Sequence, residues 1–139
     1  MTQKEKDLLI KDLCSRLSHG VKCKILETNE VKILGSIQYD GENTLFDFWE
    51  DDQKIQYGYQ LYLSEFKPCL YPLSSMTEEQ HKEFYDKYCW NDGGDNFEMD
   101  SCSHYYALEK FDWLDKNHFD YRGLIPMGLA NDATGKNIY

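Results

Sequence analysis

"VKCKILETNEVKILGSIQYDGENTLFDFWE", residues 21–50, is the stretch on which the fold turns. Val21, Cys23 and Ile25 alternate with Lys22 and Lys24, and Val31, Ile33, Ile37 and Tyr39 alternate with Lys32, Ser36 and Gln38. A period of two belongs to a strand with one buried face. Thr28, Asn29 and Glu30 supply a turn between the first two runs, and "DGEN" at 40–43 a second, leading into "TLFDFWE". After "EDDQ", the run "KIQYGYQLYL" puts Ile55, Tyr57, Tyr59, Leu61 and Leu63 on one face. Four consecutive strands with short connections predict an antiparallel meander within residues 21–73. Pro68 and Pro72 would end the sheet or confine a further strand to an edge.

Outward from this sheet, the pattern turns helical on both sides. Thr2 and Glu5 have capping-box spacing, and Leu9, Ile10, Leu13, Cys14 and Leu17 form a stripe until Gly20, predicting a helix over 3–18. Leu8 falls off that stripe, so the helix is either covered on two sides or shows one stray leucine. Thr77 and Gln80 repeat the capping spacing ahead of a helix at 78–90, with His81, Phe84, Tyr85 and Tyr88 on its buried stripe. The polar loop "NDGGDNFEMDSCS" (91–103) precedes a third helix at about 104–117. At about 100° per residue, Ala107, Leu108, Leu114 and His118 share the face of Phe111, while Tyr106 and Trp113 point the other way, either covered by another part of the chain, the preferred reading, or waiting for a partner. The expected fold is a single α+β domain over 1–139. It has a small antiparallel sheet or SH3-like half-barrel of four to five strands, one helix before it, a helical part at 77–130 after it, and a tail at 131–139.

The formal charge of −10 is unevenly spread. Residues 1–39 carry seven basic and five acidic side chains, Asp40 to Asp52 six acids and no base, and 71–139 thirteen acids against six bases. Such a surface repels a phosphate backbone, which argues against direct nucleic-acid binding and leaves basic protein partners open. Five cysteines without close pairs and a polar start, "MTQKEKDLLIKDLCSRL", predict reduced thiols and a cytoplasmic location. No run approaches the roughly 20 apolar residues a membrane helix needs.

Motifs that specify chemistry are lacking. Cys14, His19 and Cys23 straddle a helix end, and Cys89, Cys102 and His104 flank the polar loop, but neither set has structural-zinc spacing. Asp92, Asp95, Glu98 and Asp100 do not follow the calcium-loop pattern. No nucleophile elbow, Walker A or dinucleotide fingerprint occurs, so no catalytic residue, metal or cofactor is assigned.

The first functional expectation is therefore a non-enzymatic protein-binding module, with Tyr106, Trp113 and Trp49 as aromatic anchors inside an acidic rim. A second is a small-ligand pocket, with Tyr57, Tyr59 and Tyr62 stacking a nucleotide base and Arg122 meeting its phosphate. A third is an enzyme using Cys102 and His104 or the cluster His118 to Arg122.

That cluster lies in "NHFDYRGLIPMGLA" (117–130). If extended, it turns His118, Asp120 and Arg122 one way and Phe119 and Tyr121 the other. Alternatively, Asp120 caps the turn beginning at Tyr121, and Gly123 permits a backbone conformation that other residues resist. The structural reading is preferred, because the segment follows a helix end and feeds the apolar run Leu124, Ile125, Pro126, Met127.

The stretches "KPCLYPLSSMTEEQ" (67–80) and "WLDKNHFDYRGLIPMGLA" (113–130) resemble motifs of small uncharacterised proteins encoded by anaerobic gut bacteria and their prophages. His118, Phe119, Asp120, Tyr121, Arg122 and Gly123 match the second motif directly, whereas "NDATGKNIY" departs from the usual acidic, proline-containing ending. The resemblance implies a short helix, a β-rich middle and the two motifs. It carries no activity and suggests an inhibitor or adaptor from a mobile element.

Overall fold

The computed structural model describes residues 1–49, 60–88 and 107–139, arranged as a mixed α+β fold. Helix α1 (Gln3–Arg16) opens with the expected capping box, Thr2 Oγ1 accepting from the Glu5 N–H and Glu5 Oε2 accepting from the Thr2 N–H. A single 3-10 turn, Leu17–His19, follows, and Gly20 at φ +68° ends it in the left-handed region. Strands β1 (Lys22–Ile25), β2 (Val31–Tyr39) and β3 (Thr44–Trp49) are successive antiparallel neighbours. In the β2–β3 turn, Asp40 Oδ1 accepts from the Glu42 and Asn43 N–H groups at 2.9 and 2.7 Å. Between Leu34 and Ser36 the register shifts, and at that bulge the Trp49 indole lies so close to Gly35 that a Cβ there would sit 2.5 Å from Nε1.

Among the described residues, the meander comprises β1, β2 and β3. Of the expected fourth strand only residues 60–63 fall within the description, and Leu61 forms a single antiparallel bridge with Phe46. The next strand, β4 (Phe66–Pro72), crosses to the far side of β1 and pairs with it antiparallel. Two short strands, β5 (Phe119–Asp120) and β6 (Asn131–Asp132), then pair with β4 in parallel. The order is β3-β2-β1-β4-β5, with β6 also on β4, so among the described residues the sheet is mixed, open and six-stranded, where a purely antiparallel one was expected. The parallel pairs require long crossovers, which the two later helices and the turn after β5 supply. Pro68 is buried inside β4 opposite Cys23, contrary to an edge assignment. The geometry tolerates it because pairing with β6 begins one residue later, at Cys69.

Two cores result. Leu9 and Leu13 of α1 share one with Val21, Ile25, Leu34 and Leu70, centred on Phe66, whose ring meets those of Phe46 and Phe48 edge-on at 5.0 and 4.9 Å. Helices α2 (Glu78–Tyr88) and α3 (Ala107–Lys116) build the other beside β5, from Phe84, Tyr88, Trp113, Leu114 and Phe119. In α2, Thr77 and Gln80 form the expected reciprocal bonds, and Phe84 and Tyr88 are the buried residues. Among the described residues no helix is long and apolar enough to cross a membrane.

The stripe on α1 needs correction. Cys14 is exposed, while Asp12 and Arg16 join Leu9 and Leu13 as the buried residues. The helix is covered on two sides, by the sheet and by α3, which makes contact with it. Leu8 lies at the margin of the second contact, half-buried.

Candidate functional site: a groove between the first and third helices

The contact between α1 and α3 is built around charge. Asp12 and Arg16, one helical turn apart, are both completely buried. Arg16 Nε donates to Asp12 Oδ2 at 2.8 Å and Nη2 to Oδ1 at 3.0 Å, the fork geometry that suits a carboxylate. Nη2 also donates to the Phe119 carbonyl at 2.7 Å, tying α1 to β5. From α3, Asp115 brings Oδ1 within 3.7 Å of Arg16 Nη1, and Arg122 Nε lies 3.6 Å from Asp12 Oδ1. The chain's two arginines thus face two carboxylates, and the four charges cancel. Burial nevertheless raises the Asp12 carboxyl above its usual range, with Arg16 and then Arg122 opposing the shift.

Tyr121 completes the network. Its hydroxyl accepts from Arg122 Nη1 at 2.8 Å, and both guanidinium carbons lie near its ring, at 4.6 Å (Arg122) and 5.4 Å (Arg16). Burial first, and the Asp115 charge next, push its phenol up to about 12.

Above this network runs a groove of about 650 Å³, walled by Leu8, Ser15, Leu108, Phe111 and Tyr121. A second depression of about 510 Å³ shares Leu8 and Lys11 with it and continues to Met127. Among the described residues the largest apolar exposure is Leu108, at 86%. The helical-wheel expectation placed Leu108 on the Phe111 face, and the structure turns it out to solvent; Trp113, expected on the opposite side and either covered by the chain itself or open to a partner, is covered. Trp113 is only 8% exposed, 5.3 Å from the Phe84 ring and stacked on Phe119, with Nε1 donating to Glu83. The reason is α2, which packs against the Trp113 side of α3 and turns Leu108 outward.

Of the remaining sequence candidates, only some fall among the described residues. Trp49 is half-buried over Gly35. Tyr57, Tyr59 and Tyr106 lie outside the described residues, as do Cys89, Cys102, His104 and the acids of the 91–103 loop. Tyr62 is exposed and lines a different cleft, beside Met1 and Asn43, from the groove that contains Arg122. Among the described residues no group of three or more His, Cys, Asp or Glu is placed to hold a metal ion. Burial pushes both the Cys23 and Cys69 thiols up, which disfavours the thiolate nucleophile.

The segment 118–123 divides between structure and site. Asp120, buried, accepts from the Leu124 N–H through Oδ1 and from the Ile125 N–H through Oδ2, both at 2.8 Å, and so closes the turn that follows β5. Gly123 has φ +75°, a conformation that strains side-chain-bearing residues. His118 itself sits at φ +61°, its Nδ1 buried without a hydrogen-bond partner. Burial, and then the charges of Arg16, His19 and Lys22, depress its pKa to about 4. Because the folded value lies below the ordinary 6.5, the unfolded chain binds the proton more readily. The stability His118 contributes is therefore complete above pH 6.5 and is lost as pH falls toward 4. Thermal melts across that window should show a shallower decline for His118→Asn, whose side chain tolerates positive φ and does not titrate. Parallel declines in wild type and variant would remove His118 from the account.

Comparison with known proteins finds no matching family model, no matching curated protein and no matching solved structure.

Proposed function

We propose that this chain is a non-enzymatic protein-binding module of the inhibitor or adaptor kind, with its docking face on the α1–α3 groove. The observation that carries this reading is Leu108, exposed at the rim of a groove whose walls include Leu8, Phe111 and Tyr121. Apolar and aromatic side chains around a concave surface supply the buried centre an interface needs. Met127, also exposed, extends the face with an adaptable side chain. Asp115 and Arg122 line the groove and their charges are balanced against those of Arg16 and Asp12 beneath, which favours an apolar occupant over a phosphate group. The chain's charge of −10 favours a partner with a basic rim, which would associate faster at low salt. A cytoplasmic setting and a prophage origin, suggested by the thiols and the two sequence motifs, are consistent with such a role.

The test is Leu108→Glu. An exposed substitution of this kind should change stability by no more than about 0.5 kcal/mol. It should weaken binding of the protein retained from host lysate by wild type on the order of 30-fold, the loss of one anchor. Equal retention of that protein by both forms would move the docking face elsewhere.

A further inference from the structure

Tyr139 occupies a position in the sheet that a backbone rung would otherwise fill. Cys23 of β1 pairs with Pro68 of β4, so Lys22 and Cys69 would form the next rung. Instead the Tyr139 hydroxyl accepts from the Lys22 N–H at 2.9 Å and donates to the Cys69 carbonyl at 2.7 Å. Its ring stacks on the His118 imidazole, with centroids 3.6 Å apart and planes 13° from parallel. Lys22 Nζ lies 5.7 Å from the ring centroid and donates to the Ile138 carbonyl at 2.8 Å.

The chain leading to this slot is held mainly at its two ends. Ala133 is buried, and its N–H donates to the Leu70 carbonyl at 2.8 Å. Thr134, Gly135, Lys136 and Asn137 are all exposed, with Gly135 at φ +71° and Asn137 at φ +53°.

We propose that Lys22, Cys69 and His118 form a phenol-binding slot, and that residues 134–139 are a strap carrying its built-in occupant. When the strap lifts, the slot takes a tyrosine side chain from another chain. The slot selects tyrosine because one atom must both accept and donate: phenylalanine can do neither, and an indole N–H only donates. Lifting the strap without replacement hands the Lys22 N–H and the Cys69 carbonyl to water, and a docking tyrosine hydroxyl restores both bonds with one atom. Tethering gives the built-in tyrosine an effective concentration of order millimolar, which an outside peptide has to overcome.

The experiment uses the full chain carrying Tyr139→Ala, titrated calorimetrically with an acetylated peptide of sequence GKNIY and with the same peptide ending in Phe. The tyrosine peptide should bind the variant at least about tenfold more tightly than it binds wild type, whose slot is filled. It should also raise the variant's thermal midpoint, and the Phe peptide should bind about tenfold more weakly than the tyrosine peptide. A folded Tyr139→Ala chain that ignores the tyrosine peptide at millimolar concentration overturns the proposal, as does equal affinity for wild type and variant or for the two peptides. If Tyr139→Ala does not fold, the same titration on Tyr139→Phe decides. Tighter tyrosine-peptide binding than by wild type supports the slot, and equal binding overturns it.

Discussion

Arg16→Met is expected to destabilise the chain by about 3–5 kcal/mol, because it leaves buried carboxylates short of their cation. Asp12 would lose both short bonds and keep only Arg122 at 3.6 Å, while Asp115 would lose the guanidinium 3.7 Å away. The Phe119 carbonyl would lose the shorter of its two bonds and keep the Tyr121 N–H at 3.1 Å. In a chain of this size the effect corresponds to a fall in thermal midpoint on the order of 10 °C. Urea unfolding followed by circular dichroism measures it. The double variant Asp12→Leu, Arg16→Met should recover part of the loss, since replacing both members of a buried ion pair by apolar groups removes the desolvation cost together with the attraction. Full stability of Arg16→Met alone would mean that the network is incidental to the α1–α3 contact.

Asp120→Ala carries the second largest expected effect, about 2–4 kcal/mol from two backbone N–H groups losing a charged acceptor. One of those groups belongs to Leu124, which is completely buried, so water cannot replace the carboxylate without opening the core. Asp120→Asn retains one acceptor oxygen and should fall between alanine and wild type in thermal melts. The turn it closes carries Met127, so the same variants should reshape the outer end of the groove. Unchanged stability in Asp120→Ala would contradict the structural role derived from its two bonds.

Much of this was legible in the sequence because it is local. The two capping boxes, the first two hairpins and the helix stop at Gly20 depend on residues within a few positions of one another. Long-range pairing was not legible. Strands β5 and β6 contribute two residues each, too few to show a period, and they recruit β4 to the far side of β1. The wheel of α3 misplaced Leu108 and left open what covers Trp113, because hydrophobicity marks which residues can be buried and not which neighbour arrives to bury them.

The candidate site shows the same division. Arg122 stood out as one of two arginines, and among the described residues its contacts are Asp12 and Tyr121; of the tyrosines expected beside it, the described one, Tyr62, lines a different cleft. Asp12 and Arg16 drew no expectation from the sequence, since ionisable residues rarely lie in cores unless paired. One signal was present. An aspartate and an arginine four residues apart lie in the arc between Leu8 and the Leu9–Leu13 stripe, and the off-stripe Leu8 already suggested a second covered face.

The central claim is that the α1–α3 groove is where a partner docks, and cross-linking from its rim tests it most directly. A photoreactive phenylalanine analogue placed at position 108, and separately at Tyr39, compares the groove with an exposed aromatic site on the sheet. Irradiation in the host cell should give a discrete protein adduct from position 108, absent from position 39 and lost when Phe111→Lys is added. Adducts of equal yield from both positions, or an adduct from position 39 alone, would contradict docking in the groove.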